Sequence, residues 1–357
     1  MQVASACDAD GNLWLLWATD GRSFRSPSPK KLDLRIARIP APDKASPAPL
    51  LQPFRDVVEK TPVVHPNEPR EVERIRAYEI QVAGKRYRIY RGDLHRHTDI
   101  SFDGAGDGSL LDLYRYALDA ARLDFIAVTD HNAGHDREYP WWRTQRSCDL
   151  FFIRNYFVPL YAYERSVPYP NGHRNVIFAQ RGVRTLPIPR EERRGKVGAK
   201  ALYDYLRRYN GICTSHTSAT DQGTDWRDNG PELEPIVELY QGYHTSYEHP
   251  GAPRAVDEKA ERIHGRFQPA GFVWNALAKG YRLGFQASSD HISTHVSYTC
   301  VYAPKFSREA LLNAMRQRHT YAATDNIILD VRVGEYIMGE EVKDPVEPQL
   351  TITVIGT

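Results

Sequence analysis

What most constrains this chain is where its histidines and acids fall relative to its apolar runs. From about Arg74 onward, short β-rich runs alternate with helical segments, and run after run ends in imidazole or carboxylate. Tyr87–Tyr90 leads to Asp93-Leu94-His95-Arg96-His97, with Asp103 beyond. Phe125–Val128 leads to Thr129-Asp130-His131, and Phe157–Tyr163 to Glu164. His173 precedes Asn175–Phe178; Ile212–Thr214 runs into Ser215-His216, and Leu283–Ala287 into Ser288-Ser289-Asp290-His291. Ile236–Tyr240 reads as another strand. Ala201–Tyr209 and Arg308–Arg318 read as helices. So does Leu110–Leu123, whose Leu111, Tyr114, Ala117, Leu118 and Ala121 share a face. Such alternation predicts βαβ units and a mainly parallel sheet. The region spans about 240 residues, the size of a β/α barrel, in which the carboxyl ends of the strands share one rim and distant groups converge.

The spacing carries chemistry. Residues i and i+2 of a strand point the same way, so His95 and His97 can face one ion while Arg96 points away. Imidazole mixed with carboxylate suits Zn, Mn or Fe better than Ca or Mg. The candidates outnumber what one tetrahedral ion needs, which predicts two or three divalent ions. Clustered ions roughly 3.5–4 Å apart lower the pKa of a bridging water and stabilise attacking and leaving oxygens, which is hydrolytic chemistry. Isolated histidines (His65, His135, His249, His264 and His319) read as ordinary solvated or hydrogen-bonded side chains.

The first 75 residues differ. Asp8–Asn12 and Thr19-Asp20-Gly21 are turn signals around the apolar run Leu13–Trp17, so residues 1–22 read as a β hairpin, conceivable as the tail of a propeller-like domain. Ten of the 24 prolines lie between Ser23 and Glu71, which predicts an extended linker over 23–75 with a short strand near Leu32–Ile39. The barrel is expected over 76–325, and the alternation in Ile327–Ile355 predicts a β-rich extension over 326–357. The net charge of +2 argues against a general nucleic-acid binder. No run is long and apolar enough for membrane insertion, and Met1–Asp10 does not read as a signal peptide. Four scattered cysteines give neither a thiolate zinc site nor a disulfide framework.

In the order Asp93-Leu94-His95-Arg96-His97-Thr98, Asp103-Gly104, Thr129-Asp130-His131, Glu164, His216 and Ser289-Asp290-His291, the sequence resembles the polymerase-and-histidinol-phosphatase (PHP) superfamily of metal-dependent hydrolases, over roughly residues 88–325. Gly92–His95, Asp130–Asn132, Gly172–Val176 and Ser288–Tyr298 look most like its CehA/McbA-type branch. The resemblance implies a distorted seven-stranded β/α barrel with a bi- or trinuclear centre. It implies that His95 and His97 hold one ion, that Asp103 reaches another, and that Glu164 bridges. His131 would be a ligand, with Asp130 ligating or orienting it; His173 and His216 would hold the remaining ion, and Asp290 would complete the first site. The family pattern ends Asp-x-His, whereas His291 directly follows Asp290 here. Either the strand ends between them, or His291 stands behind the ligands and His295 or water substitutes.

The leading expectation is hydrolysis of a small-molecule phosphate ester, with no nucleic acid required. Asp130, Glu164 and His291 are its catalytic candidates. Arg96, Arg165 and Arg174 flank ligands and could grip phosphate. His244 is a pocket-wall candidate. A carboxylic or carbamate ester is the alternative, with Trp141, Trp142, Tyr161, Tyr163, Tyr243 and Tyr247 as aromatic walls. A barrel that binds metal or ligand without turnover is the third reading.

Overall fold

The computed structural model describes residues 3–19, 33–44, 50, 52, 65–132, 137–242, 245–260, 266–291, 297–343 and 347–356. His135, Tyr243, His244, His264 and His295 lie outside them. The chain divides into two units, Met1–Arg70 and Glu71–Thr357.

The first unit holds an antiparallel three-stranded sheet of β1 (Val3–Cys7), β2 (Leu13–Thr19) and β3 (Asp33–Ile39), in that order. Asp8 fixes the β1–β2 turn, accepting from Asn12 N and Nδ2 and from Trp14 Nε1. Led by the Trp14 bond, these donors hold the Asp8 carboxyl down at about 2. The segment near Leu32–Ile39 is therefore a full partner of the hairpin: its strand registers along all of β2, from Thr19 against Asp33 to Leu13 against Ile39.

The second unit is built on β4 (Glu79–Val82), β5 (Lys85–Arg96), β6 (Phe125–Val128), β7 (Val158–Arg165), β8 (Arg174–Phe178), β9 (Ile212–Ser215), β10 (Ile236–Gln241), β11 (Gly284–Ser288), β12 (Tyr298–Ala303) and β13 (Thr320–Ala323). Its path β11-β10-β9-β8-β7-β6-β5-β12-β13 is a nearly closed, barrel-like sheet of nine strands, with β4 paired to β5 off the path. The resemblance implied seven. At the rim, Asp290 N donates to His95 O (2.8 Å) and His97 N to Asp290 O (3.0 Å), so the chain beyond β11 pairs with the end of β5.

The sheet is mixed, which corrects the expectation of a mainly parallel one. β5, β6 and β7 are parallel, as are β9, β10 and β11. β8 is antiparallel to both its neighbours, and β12 is antiparallel to β5 and β13. Residues 166–173 alone link β7 to β8, shorter than the dozen or so residues that a parallel crossover requires. β6 is wholly apolar because it is buried on both faces: Phe125 and Ala127 join one core cluster, Ile126 and Val128 the other.

The helices include α1 (Leu110–Arg115), α2 (Glu138–Leu150), α3 (Lys200–Tyr209) and α4 (Arg308–Arg316). Ser109 caps α1, accepting from Asp112 N, and a wider π turn over Tyr116–Ala120 extends it. At the C-terminal end, β14 (Ile328–Val333) lies between β15 (Tyr336–Ile337) and β16 (Leu350–Ile355) in an antiparallel sheet. No helix among the described residues is long and apolar enough to cross a membrane.

Candidate metal centre

β5 runs apolar and basic until Gly92, then turns to ligands. A Cβ on Gly92 would lie 2.4 Å from Phe125 O, so only glycine lets β5 approach β6 this closely just before the site. Asp93 then ties the ends of β5 and β11 together, accepting from His95 N (3.0 Å) and from Ser289 N and Oγ. Complete burial holds its carboxyl up at about 6, against the opposing pull of those donors.

His95 and His97 do face the same way. Their Nε2 atoms are 3.3 Å apart. His95 Nε2 lies 3.5 Å from Glu164 Oε2 and 3.3 Å from Asp290 Oδ1; His97 Nε2 lies 3.3 and 3.1 Å from the same oxygens. A tetrahedral ion with bonds of about 2.1 Å has ligand–ligand edges of about 3.4 Å. All five separations sit close to that edge. Two imidazole Nε2 atoms and two carboxylate oxygens converging at this spacing form a donor set that fits a divalent ion.

Glu164, the last but one residue of β7, splits its oxygens. Oε2 faces His95, His97 and His216 (3.6 Å), while Oε1 lies 2.9 Å from His131 Nδ1 and 2.6 Å from His173 Nδ1. His131 also meets Asp103 Oδ2 through Nε2 at 2.9 Å. Asp103 sits in a loop whose tightness requires Gly104: a Cβ there would lie 1.8 Å from Thr98 O. Among the described residues four triads could each hold an ion: His95, His97 and Asp290; His95, His216 and Glu238; His97, Asp103 and His131; His131, Glu164 and His173. His173 is thus grouped with His131 rather than with His216. The buried Nε2 of His216 has no hydrogen-bond partner among the described residues. Such an orphaned nitrogen fits a missing electron-pair acceptor.

Adjacent residues Asp290 and His291 both turn inward because β11 has already ended at Ser288 and Asp290 adopts a left-handed φ of +62°. His291 Nε2 lies 3.3 Å from Asp290 Oδ1 and 3.7 Å from Asp103 Oδ2, and its Nδ1 lies 2.6 Å from Asp107 Oδ2. With 19% of its side chain exposed, it is the most open of the clustered imidazoles.

The electrostatics are those of an anionic nest. Burial opposes charge on His95, yet Asp290, Glu238 and Glu164 outweigh it and hold the imidazole up at about 10. His131 is held at about 9 against burial, chiefly by Glu164 and Asp103. Glu164 and Asp290 are pushed well below the usual carboxylate range by the imidazoles around them, although burial works the other way. His216 is driven down by burial and by its neighbour His95.

Several expected residues stand elsewhere. Asp130, expected among the catalytic groups, faces the backbone: it accepts from Thr98 N (2.6 Å) and Oγ1 (2.7 Å), fixing the turn after His97. Arg96 is no phosphate grip, being buried with NH1 2.6 Å from Asp107 Oδ1. Nor is Arg174, whose Nε sits 3.0 Å from both oxygens of buried Glu234, or Arg165, locked on Glu192. Trp141 and Tyr163 are core residues packed edge to face. His244 falls outside the described residues.

Two residues escaped the sequence reading. Glu238 lies inside β10 and is fully buried, with Oε2 2.9 Å from His95 Nδ1, so it orients the ring that turns Nε2 inward. Its signal was an acid in an otherwise apolar strand, Ile236-Val237-Glu238-Leu239, which must find a partner when buried. Asp107 joins Arg96 to His291, and in a Gly-rich loop it reads as an ordinary turn residue.

No family model matches the chain. A protein of Chlamydia trachomatis, described as uncharacterised, is 29% identical over 154 residues, which is 39% of this chain and 24% of that one. One of Chlamydia pneumoniae is 24% identical over 257 residues, 67% of this chain and 40% of its own length. The chain therefore spans between 24% and 40% of the curated relatives it matches. Among solved structures it is similar to a two-domain protein of Bacteroides vulgatus described as containing a predicted PHP-like metal-dependent phosphoesterase. That likeness has 16% identity and a TM-score of 0.43, over 77% of this chain and 79% of the other. It is also similar to a lesion-specific endonuclease, PfuEndoQ of Pyrococcus furiosus, at 13% identity and a TM-score of 0.37, over 66% and 57% of the two chains.

Proposed function

We infer that the second unit is a PHP-type hydrolase, of the CehA/McbA-like branch, that cleaves small phosphate esters with two or three divalent ions such as Zn, Mn or Fe. The observation that carries this reading is the split of Glu164: one oxygen belongs to the His95, His97 and Asp290 set, the other to the His131 and His173 set. A carboxylate shared in this way is what a pair of neighbouring cations needs. His95, His97, Asp290 and Glu164 would hold the first ion; Glu164, His131 and His173 the second; Asp103 and His216 stand ready for a third or as alternative ligands. When bound, the ions supply Lewis acidity and an acidified water.

The chain's own groups do the rest. Glu238 keeps His95 in the tautomer whose Nε2 is free. Asp130 holds Thr98 and with it the direction of His97. Asp107 holds His291 Nδ1, leaving Nε2 at the open side, where it can deliver a proton to the departing oxygen. Because Arg96, Arg165 and Arg174 are consumed by ion pairs, the charge of the phosphate falls to the cations.

The test combines metal content with turnover. Protein purified without chelator is analysed for metal per chain, then assayed with added Mn or Zn on nitrophenyl phosphates, phosphodiesters, acetates and carbamates. At least two equivalents of transition metal and preference for a phosphate ester are expected. Preference for an acetate or carbamate overturns the substrate class. Less than one equivalent in a chain that cannot be reloaded overturns the enzyme.

A further inference from the structure

The opposite end of the same strands has another character. Arg76, Arg86, Arg88, Arg91, Arg154 and Lys305 line a cleft of about 960 Å³, with Asp124 as its one acid. The cleft lies where β5 begins, just before β6 and β7, and just after β12, so it is remote from the imidazoles at the other ends of these strands. Arg76 pairs with Asp124 at 3.2 Å, and Arg86 and Arg88 share Glu79 at 3.5 and 3.3 Å. Among the described residues no acid pairs with Arg91, Arg154 or Lys305.

Arg91 is the telling one. It is only 2% exposed, its Nε has no hydrogen-bond partner among the described residues, and its NH2 reaches Ile75 O at a long 3.5 Å. Asp124, which accepts from Arg91 N at 2.8 Å, is the carboxylate whose charge this guanidinium feels, and it is shared with Arg76. The buried cation is thus only partly compensated, and an anion would complete it. Rings flank the cations. Phe152 and Tyr156 are 41% and 56% exposed, and Phe306 is stacked on Tyr90 at 4.3 Å. Cations in excess beside exposed aromatic faces match a ligand that carries both phosphate charge and a flat base. A volume near 1,000 Å³ is ample for one nucleotide.

We propose that this basal cleft binds nucleotide units, free or within a single strand, through Arg91, Arg154 and Lys305 on phosphate and Tyr156 or Phe152 on the base. The site does not depend on the metal centre. The whole-chain charge of +2 does not reveal it, because that figure sums over every part of the molecule.

The test uses the full metal-loaded chain, titrated at low salt with ATP, a dT12 oligonucleotide and inorganic tripolyphosphate. ATP or dT12 should bind at least about tenfold tighter than tripolyphosphate, since stacking is absent from the latter. Tighter dT12 binding with a steep salt dependence identifies a strand as the source; ATP binding as well as dT12 identifies the free nucleotide. Arg154→Glu with Lys305→Glu, both exposed and safe for folding, should weaken binding about tenfold or more. Tyr156→Ala should weaken ATP but not tripolyphosphate. His95→Ala with His97→Ala should leave binding intact even if the hydrolase reading fails. Equal binding of tripolyphosphate and ATP, indifference to the charge reversals, or loss of binding with the histidines would each overturn the proposal.

Discussion

The two ends of β5, β6 and β7 are chemical opposites. At their carboxyl ends stand His95, His97, His131 and Glu164, packed so that carboxylates hold imidazoles and await cations. At their start stand Arg88, Arg91 and Arg154, where guanidinium outnumbers carboxylate and awaits anions. Roughly 3.3 Å of rise per residue places only about 13 Å between Arg91 and His95 along one strand. The apolar layer contributed by residues such as Leu94, Phe125 and Ala127 insulates them. The contrast lies in the charge left over after pairing, since the rim arginines Arg96 and Arg165 are matched by Asp107 and Glu192, and an overall balance of 47 basic against 45 acidic residues says little about either end.

The strongest test of that independence is His95→Ala with His97→Ala. Turnover should fall to background and bound metal should drop, while circular dichroism and nucleotide binding at the base stay as they were. Unchanged turnover would refute the site assignment. Glu164→Gln should follow, at about a hundredfold or more in rate, because an amide cannot serve two cations. Its folding should suffer less than its rate, and metal analysis should read about one equivalent fewer. Full activity in this variant would mean that Glu164 is not shared.

How much of this was legible in the sequence differs between the ends for the same reason. The rim was legible because ligand residues sit at strand ends in i, i+2 or terminal positions, and a strand such as Phe125–Val128 announces itself by an unbroken apolar run. Glu238 was missed because it lies within its strand, and Asp107 because its loop looks generic. The joint inward turn of Asp290 and His291 depends on a left-handed residue that no periodicity reveals. The basal cleft was invisible because Arg76, Arg91, Arg154 and Lys305 come from four separate segments and meet only through the topology. The same topology made the arginines beside the ligands misleading. Arg96 and Arg174 lie next to site residues in sequence, but their partners Asp107 and Glu234 are supplied by other loops.

Glu238→Gln should act between these extremes. The ring of His95 loses its anionic anchor, and outer-shell partners of this kind are worth about 10–100-fold in metal affinity. Competition with a chromophoric chelator measures it. An affinity unchanged within twofold would remove Glu238 from the site. Binding at the base should be indifferent to the substitution.

The smallest effect concerns pH, and it distinguishes the ends without any substitution. In metal-free protein the folded state holds His95 up at about 10 and His131 at about 9, against an ordinary value near 6.5. A group raised on folding stabilises the fold fully below its unfolded pKa and loses that contribution as pH rises through the folded value. Metal-free protein should therefore melt at progressively lower temperature between about pH 7 and pH 9.5. Glu164 and Asp290 are shifted the other way, so their contribution is present above the ordinary carboxylate range and fails on acidification. Loaded with metal, the same imidazoles carry no proton to lose. The alkaline decline should then flatten, while acid should strip the ions instead. Guanidinium does not titrate in this range, so Arg154→Glu should leave both melting profiles parallel to the parent's. A metal-free chain whose melting temperature is level across the alkaline limb would mean that the rim carboxylates do not hold protons on these histidines, and the electrostatic half of the contrast would fail.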